Sequence, residues 1–70
     1  MQVSTMIYYR GDDVVIRAYS PINPNGLNRV ITRDVFLQMT SQEIWNVKQE
    51  LSEQLSNIQT KGYLGGSADV

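Results

Sequence analysis

The stretch from Thr40 to Gly62 constrains this chain more than any other, because the start signal, apolar stripe and stop signal of one amphipathic helix all fall in register within it. Thr40 and Glu43 have the spacing of a capping box, in which the hydroxyl accepts from a first-turn N–H and the carboxylate reaches back to the cap residue's own N–H. Met39 and Ile44 fit the accompanying hydrophobic staple. At the far end Gly62 is placed to close the helix in the left-handed conformation, with Tyr63 folding back on Ile58. Between these signals Ile44, Val47, Leu51, Leu55 and Ile58 recur at three- and four-residue steps and form a single stripe, enough to lie across a three-stranded sheet.

The residues before the helix supply that sheet. Val3 to Tyr9 and Val14 to Tyr19 are rich in β-branched and aromatic residues and flank Arg10, Gly11, Asp12 and Asp13, which reads as a hairpin. With Gly11 and Asp12 as a two-residue loop, glycine in first place suits a type II′ turn, so that Tyr9 faces Val14 and Ile7 faces Ile16. One face then carries Val3, Thr5, Ile7, Tyr9, Val14, Ile16 and Ala18, and the other carries Met6, Tyr8, Arg10, Val15, Arg17 and Tyr19. A three-residue loop would mix the two sets. Pro21 to Gly26 is the only dense cluster of turn residues and reads as a loop. Leu27 to Thr32 reads as a third strand. Val35 to Met39 fits either a short helical turn or, as preferred here, a bulged continuation of the strand ending at about Gln38.

The expected fold is therefore α+β: a three-stranded antiparallel meander followed by one long amphipathic helix packed on one sheet face, in the order β-β-β-α. Residues 1–64 form a single small domain in this scheme, and residues 65–70 (Gly65, Gly66, Ser67, Ala68, Asp69, Val70) a flexible C-terminal tail.

A chain of 70 residues buries only about 60% of the surface its unfolded form exposes, so its core is marginal. It contains neither Cys nor His, which removes disulfides and a zinc site as staples and leaves oligomerisation. The same deficit empties most catalytic constellations. Asp12 and Asp13 are adjacent in a turn, and Gly62, Gly65 and Gly66 follow a helix rather than precede one, which is the wrong end of the dipole for a phosphate. The expectation is a protein that is not an enzyme and uses no cofactor and no metal.

A net charge of −1 argues against nucleic acid as a partner and against a mimic of it. No apolar run approaches the roughly 20 residues that span a bilayer, and no secretory start is visible; the expected location is cytoplasmic, with no membrane partner. Arg10-Gly11-Asp12 spells a tripeptide recognised by cell-surface integrins, but a tight turn accounts for it.

What remains is the second sheet face. One helix covers one side of a sheet, and a side left to water alternates to polar residues. Met6, Tyr8, Val15 and Tyr19 with Arg10 and Arg17 instead resemble the composition of protein interfaces, and Trp45, on the flank of the helix stripe, could extend the patch at one edge. The leading expectation is a small protein-binding module acting as a homodimer or higher oligomer and presenting this face to a protein target. An inhibitor or accessory factor of a phage or mobile element has this size and style. An alternative is an oligomer that sequesters an anionic, nucleotide-like small molecule through its arginines, all four of which precede the helix. Single-stranded nucleic acid on the same face is the weaker alternative.

Overall fold

A computed structural model describes the backbone over residues 2–68 and side chains over residues 2–59. Its elements run β1 (Ser4–Arg10), β2 (Asp13–Ser20), β3 (Asn23–Thr32), α1 (Arg33–Gln38) and α2 (Ser41–Ala68). The three strands form one antiparallel sheet in the order β1-β2-β3, and α2 packs against it, which is the β-β-β-α arrangement expected from the sequence.

The first hairpin closes as its turn chemistry dictates. Tyr9 faces Val14, Ile7 faces Ile16, and Arg10 and Asp13 flank the loop. Gly11 has φ +61° and no non-glycine residue among those described has positive φ, so Asp12 is not left-handed and the turn is type II′ rather than I′. This register puts Ile16 and Ala18 on one side of the sheet, where they are fully buried with Leu51 and Leu55 and flanked by Val3, Ile7, Leu27, Ile31 and Val47. Val14 is buried on the same side.

The second hairpin is less regular. Pro21 and Ile22 connect Ser20 to Asn23, and farther along Ala18 faces Leu27, so that Pro24, Asn25 and Gly26 lie across from Tyr19 alone. Neither turn residue has positive φ, so the connection lacks the twist of a primed turn, and the bulge supplies it. β3 thus starts earlier than Leu27. As an edge strand it tolerates Pro24, whose missing N–H need not enter a ladder.

Two further sequence expectations change, besides the start of β3 inside the stretch read as a loop. Val35 to Met39 is not a bulged strand: β3 stops at Thr32 and α1 follows. The reason is register. Thr32 faces Asp13, the first residue of β2, so a longer β3 would find only the Gly11-Asp12 turn beside it. Arg33 uses that turn instead, donating its backbone N–H to the Asp12 carbonyl (2.8 Å) and a guanidinium N–H to the Gly11 carbonyl (2.9 Å). Arg33 also lies 5.1 Å over the Tyr9 ring, which meets Phe36 edge-on at 6.1 Å. The second change concerns Gly62. The helical backbone runs past it to Ala68, so Gly62 does not terminate α2. The side chains of residues 60–70, including the Tyr63 contact expected at that stop and the proposed tail, lie outside the described residues, as do Asp69 and Val70 altogether.

The start of α2 is built as a reciprocal cap. The Thr40 N–H donates to Glu43 Oε1 (2.8 Å), the Glu43 N–H donates to Thr40 Oγ1 (3.1 Å), and Met39 and Ile44 are both half-buried. Along the helix the inward row is half-buried Val47 followed by buried Leu51, Leu55 and Gln59, advancing four at a time, whereas Ile58 is 52% exposed. The apolar stripe therefore ends one turn earlier than its spacing suggests. Gln59 reaches the buried Ser20 hydroxyl at the end of β2, donating from Nε2 at 2.6 Å. Gln59 Oε1 is buried with no partner among the described residues.

Ser20→Ala is therefore expected to destabilise the fold by about 1–3 kcal/mol, because it strands the buried amide nitrogen as well as its oxygen. Ser20→Ala combined with Gln59→Leu should recover most of that loss in urea denaturation, since both polar partners are then gone. A double variant no more stable than the single one would show that the pair is not what the hydroxyl is for.

Candidate binding face

Strand alternation dictates what the uncovered side of the sheet carries. The cross-strand rows on that side are Met6–Arg17–Asn28, Tyr8–Val15–Val30 and Arg10–Asp13–Thr32, with Ser4 beside Tyr19 at one end. Met6, Tyr8, Arg10, Val15, Arg17 and Tyr19 thus share one face. No described element covers it, because α2 packs on the Ile16 and Ala18 side.

Val15, at the middle of this face, is only 1% exposed. Its neighbours lie over it. Arg17 is the organising side chain: Nε donates to Asn28 Oδ1 (2.6 Å), Nη2 donates to the Tyr8 hydroxyl (3.0 Å), and the guanidinium sits 5.5 Å from the Tyr8 ring centroid. A guanidinium stacked on an aromatic ring and tied at two nitrogens loses little further freedom on binding, so the Tyr8–Arg17–Asn28 arrangement is pre-organised. Beside it Met6 is 39% and Val30 49% exposed. The face therefore offers two accessible apolar side chains around a fixed aromatic and cationic centre.

Val30 and Asn28 belong to this face and were not singled out from the sequence. Extending the hairpin register through Ala18 and Leu27 would have found them, but that register depends on the bulge at Gly26. Trp45 stands apart. It is on α2, on the other side of the sheet, 55% exposed and lining a shallow cleft with Ser41 and Gln42.

The arginines do not converge on one site in the chain. Arg10 and Arg17 are on the open face, Arg33 is stacked on Tyr9, and Arg29, opposite Ile16 on the covered face, pairs with Glu50 of α2 at 2.9 Å. The last is a surface pair, 42% and 55% exposed, of the kind worth at most about 1 kcal/mol. Asp12 and Asp13 sit with Thr32, Arg33 and Asp34 around an open cleft at the hairpin tip, and no group of three or more metal-ligating side chains occurs among the described residues. No helix among the described residues is long and apolar enough to cross a membrane.

Comparison with known protein families, curated proteins and solved structures finds no match to this chain.

Proposed function

We propose that this protein is a non-enzymatic protein-binding module that works as an oligomer and presents the open sheet face to a protein target. The observation that carries the proposal is the face itself: a sheet side with no described element on it, holding exposed Met6 and Val30 beside a Tyr8 and Arg17 pair already fixed in place. Aromatic, Met and Arg side chains are the types enriched at protein interfaces, and anchors held in their bound geometry cost least to dock. An inhibitor or accessory role suits a chain of this size. The sequestering of an anionic small molecule would need arginines from more than one protomer, and no specific observation favours it.

Val30→Lys tests the proposal. The side chain is half exposed on an edge strand, so the substitution leaves the core intact and places an ammonium on the face beside Val15. The circular dichroism spectrum should be unchanged, while a partner that co-purifies with the unaltered protein from its native cell should be lost at least tenfold. Equal recovery of that partner by Val30→Lys would sink the assignment of this face.

A further inference from the structure

The open face runs out to the β1 edge of the sheet, and that edge lacks the devices that keep a strand from pairing with another chain. β1 contains no proline, lysine or acidic residue, its single charge, Arg10, stands at the last position of the strand, and its ladder with β2 is regular from Ser4 to Arg10. No described element lies along its outer side, since α2 packs mainly over β2 and β3. The opposite edge is protected: β3 carries Pro24 and the bulge that ends at Gly26, and Arg29 ties it to α2. Natural sheets blunt an edge or use it, and here only one of the two is blunted.

We propose that β1 pairs with β1 of a second copy, antiparallel and centred on Ile7, joining two sheets into one continuous six-stranded sheet. This rests on the oligomeric reading above and specifies how the oligomer is made. The backbone pattern fixes the register. Arg10 and Asp13 close the two-residue loop as a hydrogen-bonded pair, and such pairs alternate along the ladder, so Ser4, Met6, Tyr8 and Arg10 spend their backbone groups on β2. Thr5, Ile7 and Tyr9 aim theirs outward. A strand overlaps its own antiparallel copy completely only about its midpoint; the midpoint of Ser4–Arg10 is Ile7, which is one of the outward-facing residues.

In that register Ile7 faces the second copy's Ile7 and Thr5 faces its Tyr9, each pair exchanging both backbone hydrogen bonds. On the open face Met6 falls opposite the second copy's Tyr8, a favourable thioether and aromatic pairing, and Arg10 falls opposite Ser4. The two Arg10 guanidiniums end at opposite corners, so no like charges meet. Centring on Tyr8 instead would set Met6 against Arg10, and centring on Met6 would leave Arg10 beyond the end of the paired strand. Pairing about Ile7 also merges the two open faces into one surface with the Met6 and Tyr8 groups at its centre.

The test is sedimentation equilibrium on the full chain and three variants, followed by disulfide cross-linking of two more. The unaltered protein should be a dimer. Ser4→Glu sets a carboxylate opposite Arg10 at both ends of the interface and should tighten the dimer on the order of fivefold, whereas Ser4→Arg should loosen it by a similar factor. Ser4 is exposed, so neither change threatens the fold. Thr5→Pro removes an outward N–H that β2 does not use and should give a folded monomer.

Ile7→Cys supplies a cysteine to a chain that has none, and should cross-link under mild oxidation, because Cα atoms about 5.5 Å apart in a hydrogen-bonded pair suit a disulfide. Ser4→Cys is the control and should not cross-link, its two copies lying about 20 Å apart. The inference is overturned if the dimer is indifferent to both Ser4→Glu and Ser4→Arg, or if Ser4→Cys cross-links as readily as Ile7→Cys. A monomeric wild type overturns it too. If that monomer still holds a target that Val30→Lys loses, the binding face stands without the strand pairing. A β1-paired dimer whose target binding survives Val30→Lys separates the two the other way.

Discussion

Gly26→Ala is expected to unfold this protein, or to detach β3 from the sheet, while Gly11→Ala only weakens it. Both glycines have positive φ, +54° and +61°, a backbone conformation that costs an alanine about 1–2 kcal/mol. Around Gly11 there is open space, so that cost is the whole effect. A Cβ on Gly26 would instead run into the Ala18 carbonyl on β2. That carbonyl belongs to the central strand, beside the fully buried Ala18, and cannot retreat without breaking the β2–β3 ladder or shifting the core. A domain of this length is stable by about 4–10 kcal/mol in total, so strain plus a backbone collision takes most of it. Urea denaturation of the two variants side by side is the measurement. A Gly26→Ala midpoint equal to that of Gly11→Ala would mean that the bulge can reshape itself at no cost.

The contrast between these glycines also shows which parts of the fold were legible in the sequence. Gly11 acts locally: a two-residue loop with glycine first fixes the hairpin register, and that register alone separates the covered face from the open one. The Thr40 and Glu43 cap is equally local, two side chains three residues apart answering each other's backbone N–H. Gly26 acts at a distance. Asn25-Gly26 has the composition of a loop, and what makes it a bulge inside β3 is the close passage of Ala18, which no window of sequence contains. The end of β3 is hidden for the same reason, since Thr32 is the last residue with a strand beside it only once the bulge has set which residue faces Asp13. Asn28 and Val30 of the open face inherit that uncertainty. Met6, Tyr8 and Arg17, placed by the first hairpin, do not.

Helix phase is the other place where local pattern and tertiary demand part, and Leu55→Ala against Ile58→Ala measures it. Both are apolar residues of the same sequence stripe, three positions apart. Leu55 is fully buried among Ile16, Ala18 and Leu51, so truncating it removes transfer energy and leaves a cavity, an expected loss of about 2–5 kcal/mol. From a total of about 4–10 kcal/mol that is about half of the stability. Ile58 is half exposed, and its truncation should cost well under about 1 kcal/mol. The stripe alone assigns both to the core. After Leu55 the inward direction passes between the next two candidates, three and four residues on, and apolar character selects Ile58. The sheet selects Gln59, because the buried Ser20 hydroxyl at the end of β2 takes an amide and not a methyl group as its partner. A loss at Ile58 comparable to that at Leu55 would mean that α2 is rotated about its axis from the position described, and with it the Ser20 and Gln59 pairing.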